Sequence, residues 1–173
     1  MEDVAVDPHS EPAEPDPDPR VVEAASLALA AMNAGPDEDA AERLTQAFRA
    51  NPAGAEDAQA MMLLLFRECS SMVAALGSGG TAPVKMQVYD NDGQEVPIDE
   101  ADPPVRTAVR TLLAQVHGDT EAARTHIEIA LENAAPEEMV TLMVQALRWT
   151  IRLSAECTSR DLPVAEWIRA ALS

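Results

Sequence analysis

Residues 118–136 read GDTEAARTHIEIALENAAP, and residues 35–52 read GPDEDAAERLTQAFRANP. Each stretch opens on glycine, continues with acidic residues and ends at proline. Glycine and proline stop helices, and acidic side chains stabilise the first turn because they face the positive end of the helix dipole. Apolar residues recur between these limits at the spacing of one helix face. Each stretch therefore predicts one amphipathic helix with a sharp start and a sharp end.

Each of these helices is the middle one of three in its half of the chain. The first three-helix unit is predicted over residues 21–76, and the second, with an additional C-terminal helix, over residues 105–173. The predicted helices lie at about 21–32, 37–51, 56–76, 104–117, 119–133, 136–158 and 163–172. Strong helix formers dominate the composition and aromatics are only 3% of it, which favours an all-α fold with closely packed helices.

The two units align with each other helix on helix. Met62 matches Met143 and Arg67 matches Arg148. The residues that end helices and the acidic residues that begin them occur in the same order in both units. We interpret this as a tandem duplication of a three-helix unit. The alternative is that a biased composition produced two similar amphipathic patterns.

The second helix of each unit also resembles the second helix of a tetratricopeptide repeat. The resemblance lies in the order of glycine, acidic start, small alanine, large apolar residue, second alanine and proline. These are Gly35, Ala40, Leu44, Ala47 and Pro52 in the first unit, and Gly118, Ala123, Ile127, Ala130 and Pro136 in the second. The first helices lack the glycine and aromatic residues of the repeat. The resemblance implies a surface that binds a protein or peptide, and it implies no catalytic residue.

Two acidic segments lie outside the predicted units. Residues 1–20 combine Asp and Glu with repeated proline, so they are predicted to form a disordered tail. Residues 77–104 are predicted to form an acidic linker, in which alternating apolar residues flank the turn Asn91-Asp92-Gly93 and predict a short β-hairpin or an ordered loop. The two segments hold 11 of the 18 excess negative charges, so the helices themselves are only moderately acidic.

A search for chemistry finds no site for a catalytic group, a metal or a cofactor. His117 and His126 lack a partner at metal-binding helical spacing, and His117 stands at a predicted helix end. Cys69 and Cys157 are expected to be reduced thiols. The stretch around Gly93 lacks the first carboxylate of a calcium loop. These observations favour a protein that is not an enzyme.

Four residues are candidates for partner binding: Arg67, Arg148, Arg152 and Trp149. Arg67 and Arg148 occupy matching positions, and Arg148 and Arg152 are spaced to share one helix face. They could line a groove for an acidic peptide, or they could pair with acids of neighbouring helices. Trp149 could equally belong to the core.

We therefore expect a non-enzymatic helical interaction or adaptor module in the cytoplasm, because no signal peptide or apolar stretch of membrane-spanning length is evident. Its partner is expected to be another protein or peptide, with self-association as an alternative, and we expect no membrane or direct nucleic-acid contact. An acidic decoy that occupies a nucleic-acid-binding protein is one alternative function. A small-ligand sensor or enzyme with a pocket between the units is another.

Overall fold

A computed structural model describes residues 16–35, 39, 42–46, 54–77, 87–89 and 92–173. Its main elements are α1 (Pro19–Asn33), α2 (Gly54–Leu76), β1 (Val88–Tyr89), β2 (Glu95–Val96), α3 (Pro103–Val116), α4 (Thr120–Asn133), α5 (Pro136–Ser159) and α6 (Glu166–Ala171). Residues 42–46 are also helical, and Ile98–Glu100 forms one 3-10 turn. The predicted all-α fold is confirmed. Residues 47–53, which include the predicted end of the second helix, lie outside the described residues.

Aspartate caps and prolines fix where several helices begin. The Asp18 carboxylate accepts a hydrogen bond of 2.9 Å from the backbone N–H of Arg20, and Asp119 accepts one of 3.0 Å from Ala122. Such caps satisfy N–H groups that have no partner inside the helix. The chain is therefore helical from Pro19, two residues before the predicted start of the first helix at residue 21. The rest of that predicted tail, up to residue 15, lies outside the described residues.

The predicted hairpin forms, and it lies in the chain between the two predicted helical units. β1 and β2 pair antiparallel, with Val88 opposite Val96. Val88 is buried in a small apolar cluster with Ala101 and Val109, against which Trp149 also packs. Because Val109 belongs to α3, the segment predicted as a linker is in fact packed onto the second unit.

The main apolar core is built around α2. This helix contacts α1, α3, α4 and α5. Phe66 on α2 is fully buried, and its ring meets that of Trp149 on α5 edge to face, with centroids 6.3 Å apart and planes at 73°. Burying one such side chain contributes on the order of 2 kcal/mol. Buried residues of both predicted units belong to one continuous cluster, so the units share a single core.

The apolar character of α2 is explained by its place in this core. Within the described residues, Asp57–Leu76 is the one segment long and apolar enough to cross a membrane by length and composition, with a mean hydropathy of 1.3. The same test is passed by core helices of soluble proteins. Since its fully buried side chains, Leu65, Phe66 and Cys69 among them, pack against other helices, this chain is consistent with a soluble protein.

The duplication stays a prediction. α1 and α3 have 15 and 14 residues, and α2 and α5 have 23 and 24 residues, so corresponding helices have similar lengths. The offset of 81 that pairs Arg67 with Arg148 also pairs Cys69 with Thr150, and these two side chains meet, with Sγ and Oγ1 3.3 Å apart. Residues related by a two-fold axis touch each other only near that axis. The contact is what two units packed about such an axis would produce.

Two helices end on a residue with positive φ. Gly118 follows α3 with φ of 76°, and Asp161 follows α5 with φ of 56°. In each case the next N–H reaches back to a carbonyl five residues earlier, Asp119 to Ala114 at 2.8 Å and Leu162 to Cys157 at 2.9 Å. Glycine adopts this conformation without steric cost, whereas a residue with a Cβ is strained there.

Replacing Asp161 by glycine should therefore stabilise the protein. We expect Asp161→Gly to raise the free energy of unfolding by about 0.5 kcal/mol or more, because the Cβ strain is removed. Asp161→Ala should lower it, since alanine keeps the Cβ and loses any local bonding of the carboxylate. Urea unfolding followed by circular dichroism measures both variants. A glycine variant less stable than the alanine variant would contradict the expectation.

Candidate functional site

A cleft lies between the end of α1 and the middle of α5. Its described lining residues are Met32, Asn33, Gly35, Arg148, Ile151 and Arg152, and its volume is about 240 Å³. The first three come from the first predicted unit and the last three from the second. The cleft thus lies where the two predicted units meet, and it opens to solvent.

The two arginines are placed by the helical repeat of α5. Arg148 and Arg152 are one turn apart, so their side chains leave the helix on the same side, while Leu147 and Thr150 are fully buried on the core side. Arg152 is exposed and Arg148 is half-buried. Like charges at this spacing destabilise a helix by a few tenths of a kcal/mol. None of the described lining residues is acidic.

A third arginine lies behind the cleft wall. The Nε of Arg43 donates to the carbonyl of Ala31, at the end of α1, over 3.1 Å. Its guanidinium packs against Gly35, where a Cβ would come within 3.1 Å of Nη1. The Nη2 atom is buried and makes no hydrogen bond. Sequence reasoning did not single out Arg43, because its nearness to Gly35 depends on how two helices approach in space.

The structure brings together two of the four predicted partner-binding residues. Arg148 and Arg152 line the same cleft. Arg67 lies on α2 beside Glu68 and is not among the residues that line it. Trp149 packs against Phe66 and contacts both apolar clusters, so most of its ring serves the core.

A second cleft, of about 250 Å³, lies among α3, α4 and α5. Its lining includes Arg106 and Glu138, both of which already have partners. Arg106 donates to the carbonyl of Asp99 over 3.0 Å, and Glu138 accepts from the backbone N–H of Ala135 over 3.3 Å. The cleft is marginally larger than the arginine cleft, but its charged groups serve the local fold and none of the predicted site residues lines it.

No protein-family model, curated protein or solved structure matches this chain. What the site can do is therefore read from its own residues.

No group of three or more His, Cys, Asp or Glu side chains within the described residues could hold a metal ion. His117 is the C-cap of α3, and its backbone N–H donates to Leu113 over 3.0 Å. In the part of the chain that the structure describes, three large apolar side chains are strongly exposed, and they lie on three different elements: Leu27, Tyr89 and Ile129. Single exposed apolar residues are ordinary on protein surfaces, so the expected self-association stays a prediction.

Both cysteine thiols are buried between α2 and α5. Cys69 is fully buried, and burial raises the pKa of its thiol to about 12 despite the contact with the Thr150 hydroxyl. The Cys157 Sγ lies 3.8 Å from the carbonyl oxygen of Met72, and burial raises its pKa as well. Only the thiolate is a good nucleophile, so neither cysteine is prepared for covalent catalysis.

Both thiols should resist modification until the protein unfolds. At pH 8 a thiol with pKa near 12 is about one part in ten thousand thiolate. We expect Ellman's reagent to react with the native protein far more slowly than with the protein in urea, where both cysteines should react fully. A Cys157→Ser variant isolates Cys69. Rapid reaction of Cys69 in the native protein would show that α2 and α5 open readily, contrary to the packing described.

Glu68 is a half-buried acid at the junction of α2 with the C-terminal segment. Burial raises the pKa of its carboxyl, while Arg67 and Trp167 oppose the rise. The Nε1 of Trp167 is buried and makes no hydrogen bond of normal geometry, yet it lies near enough to favour the ionised carboxylate. Ionised Glu68 is therefore less favourable in the folded than in the unfolded protein.

Glu68→Gln should stabilise the protein at neutral pH. Because the pKa of Glu68 is higher in the folded than in the unfolded protein, protonation of this carboxyl stabilises the wild type. That stability is fully present below the unfolded pKa of about 4.3, and it is lost as the pH rises through the folded pKa. Urea midpoints should therefore be higher for Glu68→Gln than for the wild type at pH 7.5, and the difference should shrink at pH 3.5. Glu132→Gln, at an exposed position of α4, is the control for net charge. Equal gains from both variants would assign the effect to general charge repulsion.

Proposed function

We propose that this chain is a non-enzymatic, cytoplasmic helical module that binds another protein. The observation that carries the proposal is the cleft lined by the exposed Arg152 and the half-buried Arg148, where the two predicted helical units meet. The resemblance of each middle helix to a tetratricopeptide repeat supports the same function, because such repeats use helical surfaces to bind peptides.

The sign of the charge in the cleft indicates the kind of partner. The chain has a formal net charge of −18, yet the described lining residues carry two arginines and no acid. Potentials that are complementary across an interface speed association and exclude wrong partners. The exposed Arg152 at this cleft would favour an acidic segment of a partner.

The positions of the buried titratable groups also support a non-enzymatic function. Burial raises the pKa of Cys69, Cys157 and Glu68, and all three lie in helix packing rather than in the cleft. A catalytic nucleophile or base has to reach the substrate, so these positions fit structural roles.

The test is affinity capture from native lysate with tagged full-length protein, with Arg152→Glu and Arg124→Glu as paired variants. Arg124 is an exposed arginine on α4, outside the cleft, so both variants change the net charge equally. We expect a protein partner that the wild type and Arg124→Glu retain and Arg152→Glu loses. Equal capture by all three would place the interaction elsewhere.

A shortened chain and nuclease treatment separate this function from its rivals. Removing residues 1–15 keeps the Asp18 cap of α1. Capture that survives this removal assigns binding to the helical units, whereas capture lost with it assigns binding to the acidic segment. Nuclease treatment should leave the captured set unchanged. Greater capture of nucleic-acid-binding proteins after nuclease treatment would favour the decoy alternative, because a decoy competes with nucleic acid for the same surface. Turnover of a small molecule without any partner would overturn the proposal.

A further inference from the structure

The cleft among α3, α4 and α5 is mainly apolar, and an exposed isoleucine borders it. Ala130 of α4 and Met139 and Leu142 of α5 line the cleft beside Ile129, which is 54% exposed. Leu27 and Tyr89, the other strongly exposed large apolar residues of the described part, line neither of the two clefts described above. An exposed apolar side chain at the mouth of an apolar cleft marks a place where a further apolar side chain can be buried.

The side of the cleft formed by α4 and α5 is acidic. Residues 128–141 carry four acids and no basic residue. Glu138 lines the cleft. Glu132 is exposed and follows Ile129 by three residues, so these two side chains are neighbours on the surface of α4. Glu132 has no ion pair with any side chain that the structure describes.

The end of α4 adds to this negative potential. Its last residues, Ala130 and Asn133, line the cleft, and its last turn contains no basic residue. The C-terminal end of a helix carries a partial negative charge that favours a cation. Among the described lining residues the one base is Arg106 of α3, which is held by its Nη1 donating to the carbonyl of Asp99 over 3.0 Å. The α4 side of the cleft is therefore left without a cation of its own.

We propose that this cleft binds a protein segment that places an apolar side chain in the cleft and a Lys or Arg side chain against Glu132 and the end of α4. This surface lies beyond the proposed function, because it shares no described lining residue with the arginine cleft. The net charge of −18 speeds the encounter with a basic segment over long range.

The same charges disfavour other occupants. Residues 1–15 of this chain contain five acids and no Lys or Arg, so the acidic side of the cleft would repel them. A second copy of the chain would bring another net charge of −18 toward the first. Pockets that enclose drug-sized ligands span roughly 300–1,000 Å³. A cleft of about 250 Å³ that opens to solvent admits one or two side chains while the backbone of the segment stays outside.

The experiment is fluorescence anisotropy of a rhodamine-labelled octapeptide that contains three leucines and three lysines, titrated with the full chain. Two matched peptides separate the two parts of the proposal. One replaces the leucines by serine, and the other replaces the lysines by glutamine. We expect both to bind more weakly than the parent peptide, because the cleft needs an apolar anchor and its acidic side needs a cation.

Ile129→Ala tests the apolar contact, with Leu27→Ala as its control. Leu27 is 67% exposed on α1, so both variants shorten an exposed apolar side chain on a helix. Alanine is the best helix former, so both proteins should remain folded. Ile129→Ala should weaken binding of the parent peptide about three- to tenfold, whereas Leu27→Ala should stay within about twofold of the wild type.

Glu132→Lys tests the acidic side of the cleft, with Glu23→Lys as its control. Glu23 is exposed on α1 and outside the cleft, so both variants change the net charge equally. A lysine near the end of α4 also suits the helix dipole, so folding should be preserved. Glu132→Lys should weaken binding about three- to tenfold, and Glu23→Lys should weaken it by less than about twofold.

Several results would overturn the inference. Equal effects of Ile129→Ala and Leu27→Ala, or of Glu132→Lys and Glu23→Lys, would show that the peptide binds elsewhere or through net charge alone. Equal binding of the leucine and serine peptides would remove the apolar anchor. Sedimentation showing a dimer that Ile129→Ala abolishes would assign the cleft to a second copy.

Failure here is distinguishable from failure of the proposed function. Arg152→Glu alters the arginine cleft and should bind the parent peptide no more weakly than the wild type does. Capture of a partner that depends on Arg152, together with peptide binding that is indifferent to Ile129, overturns only the apolar site. Peptide binding that depends on Ile129 and Glu132, without such a captured partner, overturns only the function proposed for the arginine cleft.

Discussion

The packing of α2 against α5 is the contact on which the rest of the molecule depends. Phe66 meets Trp149, and Cys69 meets Thr150, along this interface. α2 is apolar over most of its circumference, so it is stable in water only when other helices surround it. α2 also packs against α1, α3 and α4, and the C-terminal α6 packs against α1. The positions of both clefts follow from how these helices meet.

Much of the fold was readable from local signals. Glycine, proline and acidic starts predicted α3, α4 and α5 to within one residue at most ends, because helix termination is decided by a few neighbouring residues. The hairpin was predicted from its turn, but its packing onto Val109 was not, since that contact depends on tertiary approach. The predicted start of α1 lies later than the observed start at Pro19, because the prolines before residue 21 indicate disorder. Proline is also well suited to the first turn of a helix.

The candidate site was only half visible in the sequence. Arg148 and Arg152 were paired correctly because helical periodicity places residues four apart on one side. Arg67 was grouped with them through its matching position in the other predicted unit, but Arg67 is not among the residues that line the cleft, and its charge acts on the neighbouring carboxyl of Glu68. Arg43 gave no signal at all. The guanidinium of Arg43 packs where Gly35 has no Cβ, and the spacing of residues along the sequence does not predict such a contact.

The two tryptophans of the chain report on different parts of it. Trp149 lies where the two apolar clusters meet, and Trp167 packs against the core where the last helix joins α2 near Glu68. Indole emission depends on the polarity around the ring, so each tryptophan senses the packing of its own region. With Trp167 replaced by phenylalanine, the remaining emission would follow the centre of the molecule alone. The chain thus carries two intrinsic optical probes that can distinguish fraying of its C-terminal end from loosening of its core.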